Sequence, residues 1–334
     1  MSLKELARIP LPPHPADGGF DHAAVHIATS QLYVAHPSND CVDVVDLAAR
    51  RYLRSLPALR GVAGVWVSQE HGLMFTSNRG EDTASIFRLP EEREQFRVST
   101  GSRPNGMAFD DGRKTLLVAG VGNPATGEPP TATLVAAGTG ERLRQLALPG
   151  RTRWATYHRT SDVFLVNIAA PPTIAVIEPH EPWGVARFIE IPATGPHGME
   201  QDPDGRTIYC ACDDGGLVTV DLPTGNARVA GTLAGSPDVL WLNSRVEHLY
   251  VAIGDPGVVQ VFRTNPLELV ESVRTGPGAH TLTVDPSKDE IHVFLPETHE
   301  DLVLRDGKLD CPDHVEARRQ SQPFEHGPRA LGGR

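Results

Sequence analysis

The sequence predicts an all-β fold, a seven-bladed β-propeller, and three observations predict it. One pattern recurs seven times along 334 residues, each copy holds up to four short strand-like runs, and the last copy lacks its fourth. Repeats of about 40 residues with four strands each are the pattern of propeller blades.

The copies begin HAAVHIATSQLYVAHPSN at His22, AGVWVSQEHGLMFTSNRG at Ala63 and NGMAFDDGRKTLLVAGVGN at Asn105. They continue as RWATYHRTSDVFLVNIAAP at Arg153, HGMEQDPDGRTIYCACDDG at His197, DVLWLNSRVEHLYVAIGDP at Asp238 and HTLTVDPSKDEIHVFLPET at His280. Their starts are separated by 41, 42, 48, 44, 41 and 42 residues. Each has a strand, a polar turn such as DPDGR or DPSKD, a second strand rich in Val, Leu and Tyr, and a third such as VDVVDL. Turns such as PTGN lead into a fourth. Helical periodicity is nearly absent.

The seventh copy offers strands near 280–284, 290–294 and 301–304 and then turns polar. LKELARIPL, at residues 3–11, has no blade of its own and is expected to complete the seventh, closing the ring and covering its edges. The propeller then occupies residues 1–310, with a tail at 311–334. The long spacing of 48 places an inserted loop at 121–133. Its Gly120-Val-Gly122 is not a phosphate-binding loop, because no helical pattern follows it.

Composition narrows the partners. A formal charge of −11 argues against nucleic acid and anionic membranes, which require clustered Lys and Arg. A small molecule or another protein is the expected partner. No apolar run approaches the length of a spanning helix and the first residues do not resemble a secretory signal, so a cytoplasmic location is expected. The four cysteines include no CxxC pair, and Cys210 and Cys212 read as buried strand residues.

In a propeller the first strand of each blade lines the central channel, so equivalent positions form a ring. The first position of the repeat reads His22, Ala63, Asn105, Arg153, His197, Asp238, His280. Because blade seven closes onto blade one, His197, Asp238, His280 and His22 form one unbroken arc beside Arg153. Three imidazoles and a carboxylate suit a divalent metal such as Zn, Mn or Fe with an open position for substrate. Arg153 suits a substrate anion, and Asn105 is a second candidate for orienting it. Glu200, three residues beyond His197, is the candidate general base, or else a buried partner of a basic group. Pro196 and Gly198 are expected to turn the chain so that the imidazole of His197 faces the channel.

The remaining polar positions read as structural. His158 falls at a turn, His26 and His292 within strands, and His36, Asn78, Asn167, Asp213, Asp255 and Glu297 near the ends of second strands, where turn chemistry accounts for them. No GxSxG elbow supports a nucleophilic serine.

The segments LYVAHPSNDCVDVVDLAARRYLRSL and GRTIYCACDDGGLVTVDLPTGNARV resemble the repeat of the YVTN family of seven-bladed propellers, from about residue 3 to 304. That resemblance implies the fold and leaves the chemistry open, since the family is functionally mixed. More loosely, the channel histidines look like those of metal-dependent propeller lyases of the streptogramin lyase type, although no residue can be carried over from them. The expected function is therefore a metal-dependent lyase or hydrolase acting on a small anionic substrate at the channel. The alternatives are a non-catalytic binding or scaffold propeller and a metal-free, lactonase-like hydrolase.

Overall fold

The structure, a computed structural model, describes residues 3–15 and 18–307; the predicted tail at 311–334 lies outside them. It contains seven sheets of four antiparallel strands. The two helical elements among the described residues are single turns, Ile27–Thr29 and Pro37–Asn39. Six blades are built from consecutive strands, as in blade one: Ala23–His26, Gln31–His36, Cys41–Asp46 and Arg51–Leu56. Blade seven takes its first three from Leu282–Asp285, Glu290–Leu295 and Glu300–Asp306, and its outermost from Leu3–Pro10. That last pairing runs from Leu3 opposite Asp306 to Pro10 opposite Glu300.

Burial follows strand position. Second strands such as Leu73–Asn78, Thr115–Gly120 and His248–Ile253 are buried along their whole length, whereas outer strands such as Glu141–Ala147 expose most residues. Apolar residues of facing sheets interlock between blades: Tyr250, Val259 and Val261 of blade six pack with Leu282, Ile291 and Leu302 of blade seven. At the seam, Ile9 and Leu11 pack with Phe20, Val34 and Phe294, so the closing strand contributes to an apolar core as well as to a hydrogen-bond ladder.

Several buried histidines inside the blades have one ring nitrogen paired, as burial favours, while the Nε2 atoms of His36, His158 and His292 have no partner. In blade one His36 Nδ1 lies 2.8 Å from Asp43, which also accepts from Ser55 Oγ at 2.5 Å, and Tyr52 OH is 2.8 Å from Ser55. His292 and Asp301 form a comparable buried pair at 2.8 Å, and His158 Nδ1 accepts the turn N–H of Ser161 at 3.1 Å. The insertion of blade three folds partly into the sheet, with Asn123 bridged to Glu128 and strand Thr131–Ala136 starting within the predicted loop.

The inner strands all run from one face of the disc, the upper face, to the other. In blades two to six they are Val62–Ser68, Pro104–Asp110, Thr152–His158, Pro196–Gln201 and Pro237–Asn243. All five have an irregularity at the start, and in four of them it takes the same form. In blade five Pro196 pairs with Cys212 and Met199 with Cys210, leaving His197 and Gly198 opposite Ala211 alone. Asn105, Arg153 and Asp238 begin the same two-against-one bulge in blades three, four and six. A bulge twists the strand locally and re-aims its side chain, which is how these residues come to face the channel mouth.

Candidate active site

The glycine after a mouth residue is set by the neighbouring blade. A Cβ on Gly64, Gly106 or Gly198 would lie 2.6, 2.3 or 2.5 Å from the backbone oxygen of Asn105, Arg153 or Asp238 respectively. Each mouth residue is thus seated against a glycine of the preceding blade. Gly198 serves the placement of Asp238, while the bulge turns His197.

His197 is the centre of the cluster. Its Nδ1 lies 2.7 Å from Asp213 Oδ1, and its Nε2 forms an ion pair with Asp238 Oδ1 at 2.8 Å. Asp213 Oδ2 accepts from Arg153 Nη2 at 3.0 Å, and Arg153 Nη1 stands 3.1 Å from the same Nε2 of His197. A lone pair on Nε2 would satisfy Arg153 and repel Asp238; a proton there satisfies Asp238 and brings two cations together. Burial disfavours charge on His197, but Asp238 and the hydrogen bonds to Asp213 and Asp238 outweigh it and raise the imidazole to about 9. It is therefore protonated at neutral pH. Asp213 remains a carboxylate: burial would raise it, but its hydrogen bond to His197, the charge of His197 and that of Arg153 hold it below the usual range.

Asp238 joins this group to the rest of the arc. Burial opposes its charge, yet His197, His280 and His22 together hold it far below the usual carboxylate range. His280 Nε2 lies 3.7 Å from Asp238 Oδ2, and its Nδ1 donates to the Gly278 carbonyl at 2.7 Å, which leaves Nε2 as the free ring nitrogen. His22 is nearly buried, edge-on to Trp154 at 4.6 Å between ring centroids, with Nε2 3.6 Å from Asp21. His197, Asp238 and His280 line an open cleft of about 580 Å³ with Asp255 and Gly254.

Of the residues expected at the site, His197, Asp238, His280 and Arg153 come together directly, and His22 lies close enough to act on Asp238. Asn105 is engaged elsewhere, accepting from Arg79 Nη2, which also approaches Asp21 at 3.8 Å. Glu200 does not join the group. Three residues along an extended strand is roughly 10 Å, and its carboxyl lines the channel interior and a cleft on the lower face instead.

Asp213 corrects the expectation of a simple turn residue, since it holds both His197 and Arg153. The ladder shows why it was missed. Cys212 is the residue equivalent to Asn78, so Asp213 belongs one place further on, in the position that Arg79 occupies in blade two. Register by strand pairing would have put these two charged residues in a second mouth layer. Asn167, also read as turn chemistry, donates to the carbonyls of His197 and Gly198 at 2.8 and 3.3 Å and fixes the bulge.

Arginines gather on the upper face beside this arc. The Arg151 guanidinium is pushed down by partial desolvation and by the charges of Arg153, Arg79 and Arg103, so a positive potential accumulates there. Asp213 and Asp238 balance the charges of His197 and Arg153, so it is the surplus of Arg151, Arg79 and Arg103 beside them that favours an anionic ligand.

A metal could draw on His280 Nε2 and Asp238, whose free nitrogen and carboxylate face each other. His197 fits less well, because an Arg153 N–H already aims at its Nε2. Among the described residues, donor groups of three or more within 4.8 Å of one another occur at His36, Cys41 and Asp43 and at Glu70, His71 and Asp111, away from the channel mouth.

No protein-family profile matches the chain, and no curated protein does. Solved structures do. A chain of Kuenenia stuttgartiensis hydrazine synthase aligns at 15% identity and a TM-score of 0.71, covering 86% of this chain and 96% of that one. A chain of the mitotic checkpoint complex aligns at 8% identity and a TM-score of 0.74, covering 90% and 91%. Similarity at this level shows the propeller fold. No helix among the described residues is long and apolar enough to cross a membrane.

Proposed function

We propose that the upper mouth of the channel is the active site of a lyase or hydrolase that takes a small anionic substrate. The observation that carries this reading is the shared carboxylate of Asp213, which presents a protonated His197 and Arg153 side by side. Arg153 would bind the substrate anion, aided by the potential of Arg151, Arg79 and Arg103. His197 would act as general acid, passing to a leaving oxygen the Nε2 proton that Asp238 accepts in the free protein. The N–H of Arg153 already points at that nitrogen and would satisfy it once the proton is gone. Asp213 would keep the ring in place throughout.

A metal-dependent version of the same chemistry is supported by one feature, the orientation of His280. With Nδ1 tied to a backbone carbonyl, its free Nε2 faces Asp238, an arrangement typical of histidine ligands. His280 and Asp238 would hold the ion, with His197 joining them if Arg153 gave way; the other expected ligand, His22, does not gather with them within 4.8 Å. Such an ion would polarise a substrate oxygen. The looser likeness to propeller lyases belongs with this version, and the YVTN-like repeats are compatible with both.

The test is a calorimetric titration of the protein with acetate, malonate, citrate and phosphate, alongside a hydrolysis screen of small carboxylate esters and lactones before and after EDTA. Saturable binding of at least one anion, weakened tenfold or more in Arg153→Ala, is expected. If none of these anions binds, or if Arg153→Ala binds them equally well, the reading fails; activity lost in EDTA and restored by Zn, Mn or Fe would select the metal-dependent version. A non-catalytic propeller would instead bind partners with the mouth residues replaced by alanine.

A further inference from the structure

Below the mouth the channel changes character. It holds a cavity of about 290 Å³ that is lined chiefly by Ala, Val and Met side chains and by three of the four tryptophans of the chain, Trp66, Trp154 and Trp241. Glu200 is the one carboxyl among its described lining residues. Trp66, Glu200 and Trp241 each lie three residues beyond a mouth residue, so they share a deeper layer, with Glu200 and Trp241 on adjacent blades.

Glu200 is poorly partnered for a carboxyl in such surroundings. Its recorded hydrogen bond is to the backbone N–H of Gln201, at 3.3 Å. Desolvation raises it to about 8, against which that bond is too weak to restore charge. An isolated carboxyl in an apolar wall costs stability unless something compensates it. Glu200 is half-buried, and the Gln201 N–H and the opening toward the lower-face cleft compensate it only in part. Its neighbour Gln201 instead donates to Thr156 Oγ1 and to the carbonyl of Tyr157.

The lower face offers a way in. Glu200 also borders a cleft of about 300 Å³ with Gln201, Asp202 and Arg159. Arg159 is turned toward Asp111, at 3.6 Å, and Asp202 accepts from Tyr209 OH at 2.9 Å. The turns around this end carry Asp110, Asp111 and Asp285, which pair with Arg113, Arg159 and Lys288, and also Asp202, which stands in the cleft beside Glu200.

We propose that the channel is a binding site for a small organic ammonium ion, entering from the lower face, with Glu200 as counter-ion and the tryptophan faces as cation–π partners. An alkylated ammonium suits these walls where a hydrated metal ion does not, because its methyl groups contact apolar surface and its charge is spread toward the rings. Binding ionises Glu200 and releases its proton. His22 lines the roof of the cavity and the cationic mouth lies above it, which directs the ligand charge downward to Glu200. This site is independent of the anion chemistry proposed for the mouth.

The experiment is a titration of the full chain at pH 7 with choline and with its neutral isostere 3,3-dimethylbutan-1-ol. Tryptophan fluorescence and calorimetry in two buffers of different ionisation enthalpy are the readouts. Expected results are saturable 1:1 binding of choline, release of most of one proton, affinity that rises as pH passes through about 8, and at least tenfold weaker binding of the isostere. Glu200→Gln, which keeps the shape of the side chain, should lose at least tenfold in choline affinity with its proton release, and Trp241→Leu, which removes one ring of the wall, should also weaken choline at least tenfold. Equal affinity for the isostere, unchanged binding in Glu200→Gln, or absence of saturable binding in the folded parent would overturn the proposal. Unchanged choline binding in a folded Trp241→Leu would overturn its placement.

Discussion

His197, on the inner strand of blade five, and Asp213, in the turn just past its second strand, face each other Nδ1 to Oδ1 at 2.7 Å, and the second oxygen of Asp213 holds Arg153 at 3.0 Å. One carboxylate therefore positions both cationic groups of the proposed site. Asp213→Asn keeps the shape and removes the charge. It should lower the pKa of His197 from about 9 and weaken anion binding about 10- to 100-fold, the loss of a charge-assisted hydrogen bond of about 1.5–3 kcal/mol. An NMR titration of the imidazole and a calorimetric titration with the best-binding anion check the two effects. An unshifted His197 would show that Asp238 alone sets its charge.

Protonation of His197 has a definite sign. Its folded pKa lies above the unfolded value, so its stabilising contribution is complete below about pH 6.5 and is lost as pH rises through about 9. Anion affinity should fall over the same upper range. Urea unfolding at pH 6 and pH 10 should therefore show a loss of stability in the parent that is smaller in His197→Ala.

Gly198 should not tolerate a side chain. A Cβ there would meet the Asp238 carbonyl at 2.5 Å, and the obstacle is backbone, so blade six must shift. Gly198→Ala should cost about 1–3 kcal/mol by chemical denaturation, the usual range for overpacking. It should also displace Asp238 and reduce anion affinity. A substitution without effect on either would mean that the blades are less tightly seated than the contact implies.

The closing strand should carry measurable stability through its apolar side as well as its backbone. Ile9 is fully buried among Leu11, Phe20 and Phe294. Ile9→Ala should lower stability by about 2–5 kcal/mol, the range for truncating a core side chain. Thermal unfolding followed by circular dichroism measures this, and a change below 0.5 kcal/mol would indicate that the seam contributes little.

Much of this site was legible in the sequence because a propeller converts periodicity into proximity. His197, Asp238 and His280 are about 40 residues apart in sequence, yet share one column and one arc. The turn after the second strand was harder to align, since loops of different length blur its register; Asp213 and Arg79 were therefore not recognised as a layer. Glu200 was correctly placed on an inner strand, but strand spacing carries it away from His197 into a different environment. Gly198 reads in sequence as a residue that turns His197, whereas its reason, shared with Gly64 and Gly106, is the approach of the neighbouring blade, which only packing reveals.

The arc that joins His197 to His22 crosses the seam between blades seven and one, where Leu3–Pro10 pairs with Glu300–Asp306. Those partners are nearly the whole chain apart, so their pairing is among the slowest contacts to form. A chain that has folded six blades already possesses almost every residue of the site, but His22 has no fixed place in the arc from which its charge reaches Asp238 until the circle is sealed. Function at the mouth would thus certify that folding has finished, and a partly folded chain would be silent there.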